Sequence, residues 1–405
     1  MHSKRKRLGK PFWRLWAAVA SSSLGDGMFA VGIPLLALTI TRSPLAISGL
    51  VIAGELPSLL VALPAGVLAD RFDQRRLIIG IQLLRLALLA TLAVVVVSDR
   101  YSVLSLFIAA FLLGGLNISF DIVAGSYLPF VVDRNSLVKA NAHVLNAEVT
   151  SENLIGQALG GAAFSAARAF PFVVDAVSVG IAAVLLKSTH SATPPEPSET
   201  TAFEDLKAGL RWFAGHALLR RLTMVIAGLA FCQGVLLGLL PLYARETLGL
   251  SSTGYGLLLA VASIGSIFGS LIAGAVHQRF GSGGTLLVAA AGFGLAYPVY
   301  ALTRSAVVVA GALLLQETLV LLGTTAARSQ QQKVVPDEFQ GRAMSASRMV
   351  VLSGVPVGSL LGGLVANSAG ISTSFWVAGA AQAVFLATSM PGLLRRLGEI
   401  EPAHQ

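Results

Sequence analysis

Long apolar runs, interrupted at regular intervals by short polar segments, extend along the chain from residue 11 to residue 394. A run of about 20 apolar residues is long enough to cross a bilayer as an α-helix. We therefore predict twelve membrane-spanning helices. Their approximate limits are 11–40, 44–69, 77–98, 103–127, 145–167, 170–187, 219–243, 255–277, 285–303, 306–328, 347–368 and 373–394.

The apolar pattern occurs twice. Ala65-Gly66 and Arg71-Phe72, which close one apolar run, recur 208 residues later as Ala273-Gly274 and Arg279-Phe280. Four residues of the first run recur 207 residues later, namely Gly27, Pro34, Leu35 and Ala37 as Gly234, Pro241, Leu242 and Ala244. An internal repeat in an apolar chain is typical of transporters. The fold class predicted is an all-α membrane protein whose twelve helices form two pseudo-symmetric six-helix bundles.

The two predicted bundles are residues 1–187 and 219–405, joined by a linker at 188–218. The linker begins with a polar, proline-containing stretch, which is typical of a flexible connection. From Ala202 its apolar residues follow a helical stripe flanked by basic residues. This pattern predicts an amphipathic helix that lies along the cytoplasmic membrane surface, either as a plain tether or as a regulatory site.

Composition supports the membrane class. Hydrophobic residues make up 55% of the 405 residues and charged residues 12%, whereas a soluble domain has about 25% charged residues. The single cysteine excludes a disulfide within the chain. The sequence contains no phosphate-binding Gly-x-x-x-x-Gly-Lys loop, no His-Glu-x-x-His and no Cys-x-x-Cys. We therefore predict no enzymatic activity, no cofactor and no metal site.

The net charge of +9 would suit nucleic-acid binding, but the placement of the charges argues against it. Of the 29 Lys and Arg residues, 23 fall on one predicted side of the membrane, five on the other, and Arg85 within a span. This asymmetry matches the positive-inside rule. It places both termini in the cytoplasm of a multi-pass protein of the cell membrane, expected to be a bacterial inner membrane. We expect a monomer with no nucleic-acid partner.

The segment from Gly66 through Asp70, Arg71 and Asp73 to Arg75-Arg76 resembles the signature loop between helices two and three of the major facilitator superfamily. Asp73 stands where that loop has its second glycine. Leu24-Gly25-Asp26, Leu128-Pro129-Phe130-Val131-Val132-Asp133 and Val334-Val335-Pro336-Asp337-Glu338-Phe339-Gln340-Gly341-Arg342-Ala343 look like segments of its drug and siderophore exporters of the macrolide-efflux and enterobactin-exporter type. The resemblance covers nearly the whole chain.

The resemblance assigns a gate to this loop. It implies that Asp70 meets the N-terminus of helix eleven, where the helix dipole favours an anion. Arg71, Arg75 and Arg76 would join the same charge network, or serve only as topology signals. Gly66 would let a neighbouring helix pack closely.

A second resemblance lies in helix five, where antiporters of the superfamily often carry Gly-Pro-x-x-Gly-Gly. This chain has Gly156, Gly160 and Gly161 but Gln157 in place of the proline. The glycines permit close helix packing. The residue to which the family's kink is assigned is missing, which weakens the support for antiport.

Acidic residues inside spans predict the functional centre. A charge at the bilayer centre costs at least about 2.5–3.5 kcal/mol, so such residues usually face a cavity. Asp26 lies near the middle of span one and Glu317 near the middle of span ten. The resemblance implies that helices one, four, seven and ten line the cavity. We expect both residues to couple protons or bind a cation; the alternative is a hydrogen bond that joins two helices.

Further residues are expected to contact substrate. Gln233 occupies the position of Asp26 in the second repeat, 207 residues on, and a neutral amide suits hydrogen bonding. The remaining cavity residues proposed are Phe29, Phe231, Asp121 and Gln316. Aromatic walls with one or two carboxylates suit bulky amphipathic or cationic molecules.

Three other intramembrane charges have open roles. Glu55 and Arg85 are either cavity groups or an internal ion pair, and Asp175 is expected to be structural. The leading function is export of an amphipathic small molecule (a drug, antibiotic or siderophore) in exchange for protons by alternating access. The alternatives are proton-independent or uptake transport of another small organic solute, and a non-transporting membrane sensor.

Overall fold

The computed structural model describes residues 8–133, 136–187, 211–335 and 340–400. Within the helices, the side chains at positions 63, 70, 340–343, 345 and 394–400 are not described. The described residues form helices α1 (Lys10–Ala37), α2 (Pro44–Arg71), α3 (Gln74–Val97), α4 (Val103–Val131), α5 (Leu137–Glu148), a π-helical segment (Val149–Gly156), α6 (Gln157–Ala166), α7 (Phe170–Lys187), α8 (Ala217–Glu246), α9 (Ser252–Leu302), α10 (Ala306–Val334), α11 (Gln340–Ala369) and α12 (Ile371–Ile400).

Ten helices in these ranges are long and apolar enough to cross a membrane. One of them, α9, has 51 residues, a length of about 75 Å as a single helix, which is far more than one bilayer crossing requires. It is broken at Gly281, whose φ of 63° and ψ of 179° are not helical. The break falls between predicted spans eight and nine. The predicted fifth span corresponds to α5, the π-helical segment and α6 together.

The chain divides into two compact units. Unit 1 is Met1–Ile40, Leu56–Ser198 and Ser251–Ala260, and unit 2 is Thr41–Glu55, Glu199–Leu250 and Val261–Gln405. The first part of α2 is thus assigned to unit 2 and the first part of α9 to unit 1. The predicted amphipathic helix of the linker lies largely outside the described residues.

In each unit, a glycine allows the first helix of the repeat to touch the fifth. In unit 1 a Cβ on Gly27 of α1 would overlap the carbonyl oxygen of Glu152. In unit 2 a Cβ on Gly234 of α8, its repeat partner, would overlap the carbonyl oxygen of Val355 in α11. The backbones approach so closely that only glycine fits without a shift. The sequence repeat is therefore also a repeat of helix packing.

The predicted glycine motif of helix five also has a second copy, in α11, that we did not predict from the sequence. Gly156 and Gly160 pack on α1 at Leu24 and Met28. The second copy is Gly358 and Gly362, 202 residues after Gly156 and Gly160. These two glycines pack on α8 at Phe231 and Val235, which lie 207 residues after Leu24 and Met28. Gly161 meets the backbone at Ser252 and Gly256, and Gly363 meets Ser48 and Leu45.

The missing proline of helix five is replaced by a different deformation. Residues Val149–Gly156, directly before Gln157, form a π-helix. A π-helix widens the turn locally and is frequent at functional sites. The deformed segment carries Glu152, whose backbone contacts Gly27. Helix five is thus irregular at the expected place without the residue to which the kink is usually assigned.

The signature loop is held by its own side chains. Asp73, in place of the family's glycine, has a φ of −59° and accepts hydrogen bonds from the backbone N–H groups of Arg75 (3.0 Å) and Arg76 (3.3 Å), so it caps α3. The Arg75 guanidinium donates to the carbonyl oxygens of Leu186 (3.3 Å) and Lys187 at the end of α7. A cation there is stabilised by the helix dipole.

The described residues leave the predicted gate at this loop a prediction. A Cβ on Gly66 would meet no described atom within 4 Å, and the expected close packing of a neighbouring helix at this glycine also stays a prediction. Arg71 and Arg76 are exposed, and among the described residues Arg76 forms a 3.7 Å ion pair with Asp73. The side chain of Asp70 lies outside what is described, and its contact with helix eleven stays a prediction.

Candidate functional site

The acid predicted in α1 is paired. The guanidinium of Arg85 in α3 binds the carboxylate of Asp26 through Nη2. Its Nη1 donates to the Ser22 hydroxyl (2.9 Å) and to the Gln82 amide oxygen (3.3 Å). The Arg85 side chain is 2% exposed and that of Asp26 13%. A hydrogen-bonded ion pair is the arrangement in which two charges can be buried. Of the two roles left open for Arg85, the structure shows an ion pair, with Asp26 as the partner.

More acids surround this pair than one arginine can neutralise. Asp175 in α7 is 1% exposed, and a Cβ on Gly25 would overlap its Oδ1. Asp175 and Asp121 both attract the charge of Arg85. Glu152 of the π-helical segment interacts with Asp26, Asp121 and Arg85. In the described part of unit 1, a group of acids therefore surrounds one buried cation, Arg85.

A cavity of about 340 Å³ lies in unit 1 between α1, α4 and α5. Asp121 and Glu148 contribute carboxylates to its wall, and Asn141 an amide. The rest of the lining is apolar or glycine: Leu15, Val19, Ala124, Gly125, Leu128, Ala142, Val144 and Leu145. Its size falls within the range of ligand pockets, about 300–1,000 Å³. Apolar walls with two carboxylates suit an amphipathic cation.

The acid predicted in the second repeat has different partners. Glu317 of α10 accepts hydrogen bonds from the amide of Gln233 in α8 (3.4 Å) and the hydroxyl of Ser266 in α9 (3.2 Å). Among the described ion pairs, none involves Glu317. Gln233, which occupies the position of Asp26 in the second repeat, is thus a neutral hydrogen-bond donor to the carboxylate of Glu317. Glu317 thus links α8, α9 and α10 of unit 2, and no cation of the described ranges pairs with it.

Gln316 has a structural position. It is 1% exposed, and its amide nitrogen donates to the Tyr297 hydroxyl (3.2 Å) while its amide oxygen accepts from the Tyr300 hydroxyl. Both tyrosines are buried in unit 2. Phe29 and Phe231, the predicted aromatic walls, are half-buried, and each meets another ring, Phe172 at 6.0 Å and Phe385 at 6.1 Å.

Sequence reasoning missed three polar members of these networks, Ser22, Gln82 and Ser266, and it also missed the second glycine motif. The glycine motif had a signal, because Gly358-Ser-Leu-Leu-Gly362-Gly363 has the same spacing as the motif of helix five. Gln82 lies three residues before Arg85, on the same helix face. In the described parts of the chain, no group of three His, Cys, Asp or Glu residues could hold a metal ion.

An all-helical chain with many apolar spans and charged side chains inside them has the architecture of a membrane transporter. A family model described as a transmembrane secretion effector matches residues 8–404. The chain belongs to this family of the major facilitator superfamily.

Relatives are similar over most of their length. The uncharacterised transporter YfiS of Bacillus subtilis is 25% identical over 402 residues, covering 91% of this chain and 90% of YfiS. The multidrug efflux pump Tap of Mycolicibacterium fortuitum is 25% identical over 398 residues, covering 95% and 93%.

Solved structures share the fold. A mutant of the nucleoside transporter NupG has a TM-score of 0.80 at 10% identity and covers 94% of this chain and 99% of its own. A bacterial homologue of the iron transporter ferroportin, in an inward-facing state, has a TM-score of 0.74 at 16% identity and covers 95% and 99%. The chain therefore has the major facilitator fold.

Proposed function

We propose that this transporter exports an amphipathic small molecule in exchange for protons, with Asp26 and Glu317 as its proton-coupling residues. The observation that carries the proposal is the environment of Glu317. A half-buried carboxylate inside a membrane span, whose partners among the described residues are the neutral donors of Gln233 and Ser266, is costly when ionised. It is stabilised either by binding a proton or by binding a cationic substrate. Because the carboxylate binds either the proton or the substrate, the two can be exchanged for each other at this residue.

Two further observations support export of an amphipathic compound. The cavity of unit 1 combines apolar walls with the carboxylates of Asp121 and Glu148. The relative Tap is a multidrug efflux pump. In unit 1, Asp26 takes part through its ion pair with Arg85, since protonation of Asp26 would release the guanidinium.

The test uses purified protein in proteoliposomes, with ethidium as the cationic probe. An imposed pH gradient is expected to drive ethidium movement in wild type, accompanied by proton flux in the opposite direction. Glu317→Gln is expected to abolish gradient-driven movement and to weaken ethidium binding, because the amide offers neither a site for the proton nor a negative charge for the cation. Glu246→Gln, which changes an exposed acid at the end of α8, is the matched control.

Three results would contradict the proposal. Undiminished gradient-driven transport by Glu317→Gln would remove this residue from the coupling. Ethidium movement without any proton flux would indicate proton-independent transport. Ethidium binding without movement in wild type would favour a sensor.

A further inference from the structure

Among its described residues, unit 1 holds one buried carboxyl group, that of Asp175, and one buried cation, Arg85, which are 1% and 2% exposed. The side chain of Asp26, which is 13% exposed, is paired with Arg85. One guanidinium can neutralise one carboxylate in a low-dielectric interior. The structure gives that position to Asp26. Asp175 is therefore left without a cation, although it also interacts with Arg85 electrostatically.

Asp175 also lacks a strong hydrogen-bond donor among the described residues. The nearest hydroxyl, that of Ser178, lies 3.4 Å from Oδ1, but it donates its single proton over 2.8 Å to the backbone oxygen of Asp175. An ionised carboxylate in such a place would cost several kcal/mol, by the order of magnitude for uncompensated buried ions. A neutral, protonated carboxyl group avoids that cost.

Asp175 is well placed to take over the ion pair. Its carboxyl packs against the backbone of Gly25, the residue directly before Asp26 in α1. Arg85 also has a spare donor, because its buried Nε has no hydrogen-bond partner. A shift of the guanidinium towards α7 would exchange one carboxylate for the other. No part of the backbone would have to unfold for this exchange.

The geometry points to a proton-linked exchange of partners, in which Arg85 pairs alternately with Asp26 and Asp175. In one state Asp26 is ionised and Asp175 carries the proton. In the other, Asp26 has bound a proton, Arg85 has moved, and Asp175 has released its proton. One proton enters and one leaves, so the charge of the three groups does not change. The exchange would serve the coupling proposed above, and its role in transport depends on that proposal.

Other polar groups of neighbouring helices face the exchange. Asp121 of α4 and Glu152 of the π-helical segment are the remaining acids that interact with Arg85 or Asp26. Ser22 and Gln82 bind Arg85 on the side of Asp26. The two additional acids increase the negative charge around the pair. Asp121 and Glu152 are more exposed than Asp175, so groups other than Arg85 can neutralise their charge.

Infrared difference spectroscopy on purified protein in lipid nanodiscs tests the exchange without a substrate. A protonated carboxyl group gives a separate carbonyl-stretch band. Asp175→Asn is expected to lose one such band at neutral pH. Asp26→Asn is expected to lose the same band, although Asp175 is unchanged, because Arg85 then pairs with Asp175 and ionises it. Asp99→Asn, an acid-to-amide change at an exposed position of unit 1, is expected to keep the band.

The exchange is refuted if the band assigned to Asp175 persists in Asp26→Asn, since a merely structural Asp175 would not respond to Asp26. It is equally refuted if Asp175→Asn removes no band. Arg85→Gln provides a second measurement if Asp26→Asn does not fold. Without the guanidinium both carboxyls are expected to be protonated, so the spectrum gains one band relative to wild type, and an unchanged spectrum contradicts the exchange. Correct infrared results together with absent proton flux would refute only the proposed function.

Discussion

The close contact between α8 and α11 makes Gly234 a well-defined position for a stability test. A Cβ on Gly234 would overlap the carbonyl oxygen of Val355 and lie 2.8 Å from its Cα. The overlapping atoms belong to the backbone, so no side-chain rotation can relieve the contact, and the two helices must separate. Overpacking of this kind costs about 1–3 kcal/mol.

The intrinsic gain from the substitution partly offsets that cost. Alanine is favoured over glycine by about 1 kcal/mol in a helix interior. Gly311→Ala in α10 isolates this gain, because a Cβ there would meet no described atom within 4 Å. Gly234→Ala is therefore expected to be less stable than Gly311→Ala by about 1–3 kcal/mol.

Unfolding of the purified protein in mixed micelles, titrated with sodium dodecyl sulfate, measures this difference. Gly27→Ala, at the repeat position, should lose a similar amount, because its Cβ would overlap the carbonyl oxygen of Glu152. Equal unfolding midpoints for Gly234→Ala and Gly311→Ala would refute the proposed contact. A large loss for Gly234→Ala with none for Gly27→Ala would refute the structural repeat.

Three smaller effects can be measured by thermal unfolding in detergent. Asp73→Ala removes the cap of α3 and should cost about 1 kcal/mol; Asp73→Asn should keep most of it, and equal losses would refute the capping role. Gln316→Leu leaves the buried Tyr297 hydroxyl without its donor and should cost about 1–3 kcal/mol, so an unchanged midpoint would contradict this network. Arg42→Gln breaks the 3.9 Å ion pair with Glu246, in which the Arg42 side chain is 86% exposed. Because exposed pairs contribute little, this variant should change stability by less than about 0.5 kcal/mol.

Most of the fold could be predicted from the sequence because hydrophobic length and repetition determine it. The offset that relates Gly27 to Gly234 in the sequence also relates their contacts in the structure. The break in α9 at Gly281 falls in the polar gap predicted between spans eight and nine, although the positive φ of this glycine was not predicted. The π-helix at Val149–Gly156 could not be predicted, since it depends on how α1 packs against this segment.

The site was only partly predictable. The cost of a charge in the membrane led to the prediction of Asp26 and Glu317 as site residues, but it could not identify their partners. Arg85 lies 59 residues after Asp26 in the sequence, and only the packing of α3 on α1 brings the two together. Glu317 instead meets Ser266, a residue with no sequence signal of its own.

The two repeats therefore share a scaffold but not an electrostatic environment. In unit 1 a cation neutralises Asp26, and the charge of this pair can be redistributed to Asp175 without changing the total. In unit 2, at the repeat position, Gln233 supplies a neutral donor to Glu317. In the transport cycle proposed above, Glu317 is therefore the carboxylate at which a proton and a cationic substrate would compete, because Arg85 repels a second positive charge at Asp26. Asp26 and Asp175 would respond to protonation by exchanging Arg85 between them.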